Sequence, residues 1–348
     1  MWTTHTVFSD DLKETEICDF IDWEMFREKS FLITGATGLI GQNLVGILAY
    51  MSVRKSLDLK ITALVRSLEK AERSFQELQR EFPGLILAEG TVEDLPDLPR
   101  HVDYIVHGAS ITSSKAFISQ PVELIRTAAR GTDNMLQYAR RAGIEKMVFL
   151  SSMEVYGYPK RGHRVQENEI GALPSTVVRN SYPLSKQICE SMCCAYTSEY
   201  QVPVLIARLT QTFGPGVRYD DGRVFAEFAR CVIEKRDIML KTKGETERSY
   251  LYTADAVTAI LVLLQKGKSG EAYNVANDST YCSIAEMAGM YAEIGGISLR
   301  FVPENTEKMG YANTLFMDLD TDKLRQLKWK PQKDLKNMIR CLVQSMMM

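Results

Sequence analysis

Short apolar runs punctuate the first two thirds of the chain: FLIT (31–34), ITALV (61–65), LILA (85–88), YIVH (104–107), MVFLS (147–151) and VLIAR (204–208). Each is too short for a buried helix and reads as a strand covered on both faces. Between them lie stretches of helical period: LVGILAYM, EKAERSFQELQREF, ELIRTAARGTDNMLQYARRAG and SKQICESMCCAYTSEY. This alternation predicts an α/β fold, a doubly wound parallel sheet with helices on both faces. Beyond residue 210 the pattern loosens into Gly, Pro and charged segments. Helices are expected there near 222–235, 253–265 and 283–293, with a last basic helix from about 332. This part is too irregular to predict another sheet layer. It is expected to form a smaller C-terminal domain capping the carboxyl edge of the strands, where open parallel sheets take their ligands. Residues 1–29 are a polar, acidic leader with a short helix expected through FIDWEMF, free either to pad a dimer or to remain mobile.

Composition narrows the partners. The 348 residues are 45% hydrophobic and 25% charged, which suits one large domain or a domain with an annex. A net charge of −2 gives no reason to expect nucleic acid or an anionic membrane as partner. No run approaches the roughly 20 apolar residues of a membrane span, and the N-terminus lacks the pattern of a secretory signal. A cytoplasmic location is expected. The seven cysteines contain no CxxC pair, so reduced thiols packed along a helix are expected and no metal site.

Candidate chemistry begins after the first strand. TGATGLIG (34–41) spaces Gly35, Gly38 and Gly41 as GxxGxxG between a strand and a helix. Glycine there permits a tight turn, lets backbone N–H groups approach a pyrophosphate and lets helix and strand pack closely. A dinucleotide site is expected. At the end of the second strand an acidic residue would suit the ribose of NAD, whereas Arg66 suits the extra phosphate of NADP, so NAD or NADP is the expected cofactor. Further on, RNSYPLSKQICES (179–191) opens a helix with Tyr182 and Lys186 four apart on one face. A phenol of pKa about 10 is a poor base near neutrality, and a close ammonium stabilises its ionised form. Ser152, at the end of its strand, is placed to hold an alcohol oxygen with Tyr182.

These features, with HGAS (107–110), SSMEVYG, YPLSK, RLTQTFGPG (208–216), ERSYLYTADAVTAI (247–260), EAYNVAN (271–277) and LKWKP (327–331), resemble the extended short-chain dehydrogenase/reductase family. The match lies in its NAD-dependent nucleotide-sugar epimerase/dehydratase branch, with motifs nearest those of UDP-glucuronate decarboxylase. The resemblance implies a Rossmann domain over 30–210, with 248–276 returning to it. A sugar-nucleotide-binding domain would come from 211–247 and 277–348, and a homodimer would form through the helices ending near 142 and 200. It further implies cofactor contacts from Thr37, Leu39, Ile40, His107, Ala109 and Ser110, and a Lys186 bond to the nicotinamide ribose. Departures are a Thr at 91 where the family has Asp, Ala128 where it has Asn, and Gln211 where it has Asn beside the substrate diphosphate.

The same resemblance sets the choice of reaction. All branches oxidise a sugar 4-hydroxyl, with Tyr182 taking its proton. Dehydratases have Asp-Glu at 153–154, but Met153 has no proton to give. Decarboxylases show a hydroxyl residue, a small residue, then Glu-Val-Tyr-Gly, close to Ser152-Met153-Glu154-Val-Tyr-Gly. Glu154 is then the acid/base group for C5, while Arg223 and Arg248 match arginines that hold the substrate diphosphate or carboxylate. A UDP-glucuronate decarboxylase-like enzyme is expected, with 4-epimerase, 4,6-dehydratase, NADPH-dependent 4-keto reductase and a non-catalytic nucleotide sensor as alternatives.

Overall fold

A computed structural model describes residues 6–113, 116–302 and 314–347. The strands are β1 (Ser30–Thr34), β2 (Lys60–Val65), β3 (Leu85–Glu89), β4 (Tyr104–His107), β5 (Lys146–Ser152), β6 (Arg164–Val165), β7 (Val204–Leu209), β8 (Gln211–Phe213), β9 (Ile238–Leu240), β10 (Glu247–Tyr252), β11 (Ala272–Val275), β12 (Asn277–Ser283), β13 (Leu299–Phe301) and β14 (Phe316–Leu319). The helices are α1 (Thr6–Glu16), α2 (Leu39–Arg54), α3 (Leu68–Glu81), α4 (Ala116–Ser119), α5 (Pro121–Ala142), α6 (Ser181–Tyr200), α7 (Val224–Ile233), α8 (Thr253–Lys266), α9 (Ile284–Gly295), α10 (Asp322–Gln326) and α11 (Leu335–Met346).

Seven strands form one parallel sheet in the order β11-β7-β5-β4-β1-β2-β3. Chain order reverses between β1 and β4, which opens a crevice at their carboxyl ends. Alternation along β1 sorts its side chains between two layers. Phe31 and Ile33 join the core with Leu44 and Leu48 of α2 and Val257 of α8, whereas Leu32 joins Met135 of α5 and Cys189 of α6. Local signals set the helix ends. Ser67 accepts from the Lys70 N–H to start α3, and Gly143, at φ +63°, stops α5 in the left-handed conformation that favours glycine.

The loosened C-terminal pattern does hold a second sheet, contrary to expectation. β12, β10, β14 and β6 pair in that order, β8 adds to β10, and only the β10–β12 pairing is antiparallel. Its strands are two to seven residues long, and a register shift between Arg248 and Tyr250 breaks the alternation of β10. A period of two cannot show in pieces that short. The segment expected to return to the large sheet therefore divides: β11 joins that sheet, whereas β10 belongs to the small one. Among the described residues no helix is long and apolar enough to cross a membrane.

The leader is docked. α1 packs on α2, α8 and α11, and a 3-10 turn over Trp23–Phe26 stands where a short helix was expected. Phe26 is fully buried, edge-on to Phe31 and Tyr104 at 5.5 Å each. Emptying that position by Phe→Ala costs about 3–5 kcal/mol in comparable cores. Asp11 of α1 is also buried and accepts from Tyr252 Oη at 2.8 Å, while Lys333 reaches Glu14 at 2.6 Å and lies 4.0 Å from Asp11. Asp255 accepts the Gln332 and Lys333 N–H groups beside them.

Burial pushes both Asp11 and Asp255 up to about 7, against the opposing pull of their hydrogen bonds and Lys333. A carboxyl whose folded value lies above its unfolded value of about 3.9 stabilises the fold below that unfolded value, and the contribution is lost as pH rises through about 7. The melting temperature is therefore expected to fall between pH 6 and pH 8.5, and to fall less in Asp11→Asn. Calorimetry that shows a rise over this range would refute the assignment.

Candidate active site

The glycine turn sits at the crevice between β1 and β4. Gly35 has φ +69°, and a Cβ on it would lie 2.8 Å from the Gly108 carbonyl. On Gly41 a Cβ would lie 2.2 Å from the Gly35 oxygen. Neither position admits a side chain. Gly38 is the N-cap of α2 and supplies no side-chain acceptor, so N–H groups of the first turn stay free for an anion. Thr37 and Gly38 are exposed, with Leu39 and Ile40 half-buried behind them. The turn thus fits a dinucleotide pyrophosphate.

The other side of the crevice is the β4 end. The Ala109 N–H donates to Thr34 Oγ1 at 3.1 Å, and Ala109 and Ser110 are half-buried. His107 departs from expectation. Its ring is buried, with Nδ1 2.7 Å from Thr34 Oγ1 and Nε2 3.3 Å from Thr132 Oγ1. Burial, aided by the Lys186 charge, lowers its pKa to about 3 and keeps it neutral. With both nitrogens engaged, it braces the strand ends and offers no ring nitrogen to a cofactor. Arg66, at the end of β2, is exposed and has no recorded carboxylate partner among the described residues. Of the departing positions, Thr91 turns back on Asp94, and the Ala128 carbonyl accepts the Cys189 thiol at 3.3 Å.

α6 brings Tyr182 and Lys186 to the carboxyl end of β5. Lys186 is 4% exposed, and its Nζ donates to the Leu150 carbonyl at 2.7 Å. Burial depresses its pKa to about 8, with Cys189 and Glu190 opposing. The same Nζ lies 5.9 Å from the centre of the Tyr182 ring. Burial and then the Glu154 carboxylate raise the Tyr182 pKa well above its ordinary 10, and the Ser152 hydrogen bond and Arg179 pull the other way. Arg179 is thus a second cation near the phenol beside Lys186, one not foreseen from the sequence. Its signal was weak: an Arg three residues before Tyr182 looks like any loop cation.

Ser152 caps the 3-10 turn Met153–Tyr156 by accepting from the Glu154 N–H at 3.2 Å. Met153 points into the core, its Sδ accepting from Thr210 Oγ1 at 3.3 Å, and Glu154 emerges to meet Arg179 Nη1 at 3.2 Å. Phe117 of α4, also unforeseen, stacks on Tyr182 with ring centres 4.3 Å apart and planes within 7°.

Pairing of β8 with β10 brings together two of the expected substrate residues. Arg248 Nη1 donates to Gln211 Oε1 at 2.9 Å, and Arg248 Nε is buried with no partner among the described residues. An unmatched buried guanidinium N–H is costly unless an acceptor arrives, which suits an anion site. Arg223 does not join them. It is the N-cap of α7, forks onto Asp221 at 2.6 Å and stacks on Phe225.

The model of the NAD dependent epimerase/dehydratase family matches residues 31–276. UDP-glucuronic acid decarboxylase 1 of Xenopus tropicalis is 28% identical over 271 residues, which span 77% of this chain and 61% of that protein. UDP-N-acetyl-alpha-D-glucosaminuronate decarboxylase of Bacillus cytotoxicus is 27% identical over 86% of this chain and 92% of its own length. Among solved structures, DesIV from Streptomyces venezuelae, a dTDP-glucose 4,6-dehydratase with NAD and TYD bound, superposes with a TM-score of 0.77 at 24% identity. That superposition covers 90% of this chain and 96% of DesIV. The large parallel sheet, the glycine turn at its crevice and a match across most of the chain place this protein in the NAD dependent epimerase/dehydratase family.

Proposed function

We propose that this protein decarboxylates a UDP-hexuronate such as UDP-glucuronate through a 4-keto sugar. The observation that carries the reading is the turn after β5, which buries Met153 and turns Glu154 out beside Tyr182. The names of both uronate decarboxylase relatives support it. Gly35, Gly38 and Gly41 would hold the dinucleotide, with Ala109, Ser110 and Lys186 along its length. When bound, it would accept hydride from sugar C4 and return it to the C4 ketone once carbon dioxide has left.

The chain's own residues do the rest. Tyr182, as its phenolate, takes the proton of the 4-hydroxyl, and Ser152 fixes the oxygen by a hydrogen bond. A ketone at C4 lets the C5–C6 bond break, its electron pair moving toward the ketone oxygen as carbon dioxide leaves. Glu154 passes a proton taken up from water to C5, and Tyr182 returns its proton to the oxygen at C4. The raised pKa of Tyr182 suits that return. Arg248, with Gln211, supplies donors for the diphosphate. Arg223, committed to Asp221, has a smaller part than the resemblance implied. 4-Epimerisation is the second reading, because it needs the same Tyr182 and Ser152 but no acid at C5. A non-catalytic sensor is disfavoured by the retention of Ser152, Tyr182 and Lys186 together.

The reading includes a homodimer through the outer faces of α5 and α6, where Val122, Ile125 and Ile188 are exposed. It also includes use of NADP beside the family's NAD, on the strength of the unpaired Arg66.

Incubation with UDP-glucuronate and NAD is expected to give a product lighter by one carbon dioxide on mass analysis. A new stereoisomer of unchanged mass would favour epimerisation, and no change of any kind would refute both. Tyr182→Phe is expected to keep the fold and lower turnover by about 100-fold or more. For the cofactor, Arg66→Ala should weaken NADP about tenfold in equilibrium binding and leave NAD nearly unchanged. Equal effects on the two would remove the role given to Arg66. Light scattering should report a dimer mass that Ile125→Glu reduces to that of a monomer.

A further inference from the structure

Arg179 stands beside the candidate catalytic groups with part of its guanidinium uncommitted among the described residues. It lies in the turn that opens α6, three residues ahead of Tyr182. Its guanidinium rests over the Phe117 ring, 4.8 Å from the centre, and that ring is stacked on Tyr182. Nη1 donates to Glu154 Oε2 at 3.2 Å, and among the described residues the side chain makes no other hydrogen bond, so Nη2 and Nε keep their donors. The side chains of Arg179 and Glu154 are 33% and 29% exposed, within reach of a ligand in the crevice.

The chemistry of the substrate makes those donors useful. In a hexuronate the C4 hydroxyl and the C6 carboxylate are carried two carbons apart. A sugar whose 4-oxygen meets Tyr182 must therefore bring its carboxylate close to Glu154, a group of the same sign. Like charges at such range disfavour binding unless a cation sits between them. A guanidinium fork can bond two carboxylates at once through different nitrogens.

We infer that Arg179 is the residue by which the site selects a sugar nucleotide carrying a carboxylate, its Nη2 and Nε taking the sugar carboxylate while Nη1 keeps Glu154. The inference rests on the proposed uronate reading and adds the determinant of specificity to it. Loss of carbon dioxide removes the anion that Arg179 holds, so the product is bound without this contact and leaves more easily.

The test compares UDP-glucuronate with UDP-xylose, which lacks the carboxylate, by calorimetric titration of the NAD-loaded protein. A Tyr182→Phe background stops turnover and keeps the ring stacked on Phe117. Adding Arg179→Met is expected to weaken UDP-glucuronate by about 10- to 100-fold while UDP-xylose changes by less than about twofold. Unchanged UDP-xylose affinity also shows that the variant is folded, and Arg179→Lys should restore part of the loss. Equal weakening of both ligands would reduce Arg179 to a structural part and overturn the inference. So would a uronate preference that survives Arg179→Met, or one that disappears in Arg248→Met alone. If the wild-type protein releases no carbon dioxide but shows a uronate preference that Arg179→Met abolishes, the decarboxylase reading fails and the role of Arg179 stands. Release of carbon dioxide with a preference indifferent to Arg179 gives the reverse.

Discussion

The geometry of the site hangs on the hydrogen bond from the buried Lys186 ammonium to the Leu150 carbonyl, 2.7 Å long. A cation taken out of water must find acceptors or lose its proton, and Lys186 is drawn both ways, bonded to the strand end yet held near pKa 8. The bond pins the first turns of α6 to the carboxyl end of β5, and every candidate catalytic group lies on one of them or in the 3-10 turn that follows β5. One turn on, Glu190 accepts from Ser151 and pairs with Arg208 at 2.7 Å, both side chains under 10% exposed. Breaking such a pair from one side strands a buried charge, at a cost of about 3–5 kcal/mol. Helix α6, β5 and β7 are therefore tied together beside the phenol.

On this frame the electrostatics of Tyr182 depart from a simple phenol–ammonium pair. The ammonium spends its bond on the backbone, and the phenol feels burial and Glu154 more than any cation. Arg179 offsets part of the Glu154 effect by pairing with it. Phe117 links Arg179 to the phenol through stacked faces, a contact between aromatic and cationic groups that gains strength when water is excluded. The result is a balanced ion pair beside the phenol, a setting in which the charge of an arriving ligand has large effects.

The leader and the small sheet support the site from a distance. α1 lies against α2, the helix whose N-terminus faces the crevice, and against α8, which covers the large sheet. Trp23 and Phe26 extend the same core under β1 and β4. The small sheet contributes the Gln211–Arg248 pair because β8 and β10 run side by side there, thirty-seven positions apart in the chain.

Much of the architecture was legible in the order of the residues. Unbroken apolar runs read as strands covered on both faces, and stretches of helical period filled four of the five intervals between them. The three glycines announced a turn that no side chain could enter, since the backbones of Gly35, Gly41 and Gly108 approach too closely. Tyr182 and Lys186 shared a helix face by arithmetic. Hidden from that order was everything decided by pairing across long separations. The five short strands of the second sheet carry too little pattern to be read singly. His107 looks like a ligand residue until Thr34 and Thr132 claim both its nitrogens. Arg179 reads as a loop cation until a 3-10 turn twenty-five residues earlier presents Glu154 to it. Periodicity reports which face of an element is buried. It says nothing of which distant charges will face each other once the elements are packed, and in this crevice those charges set the chemistry.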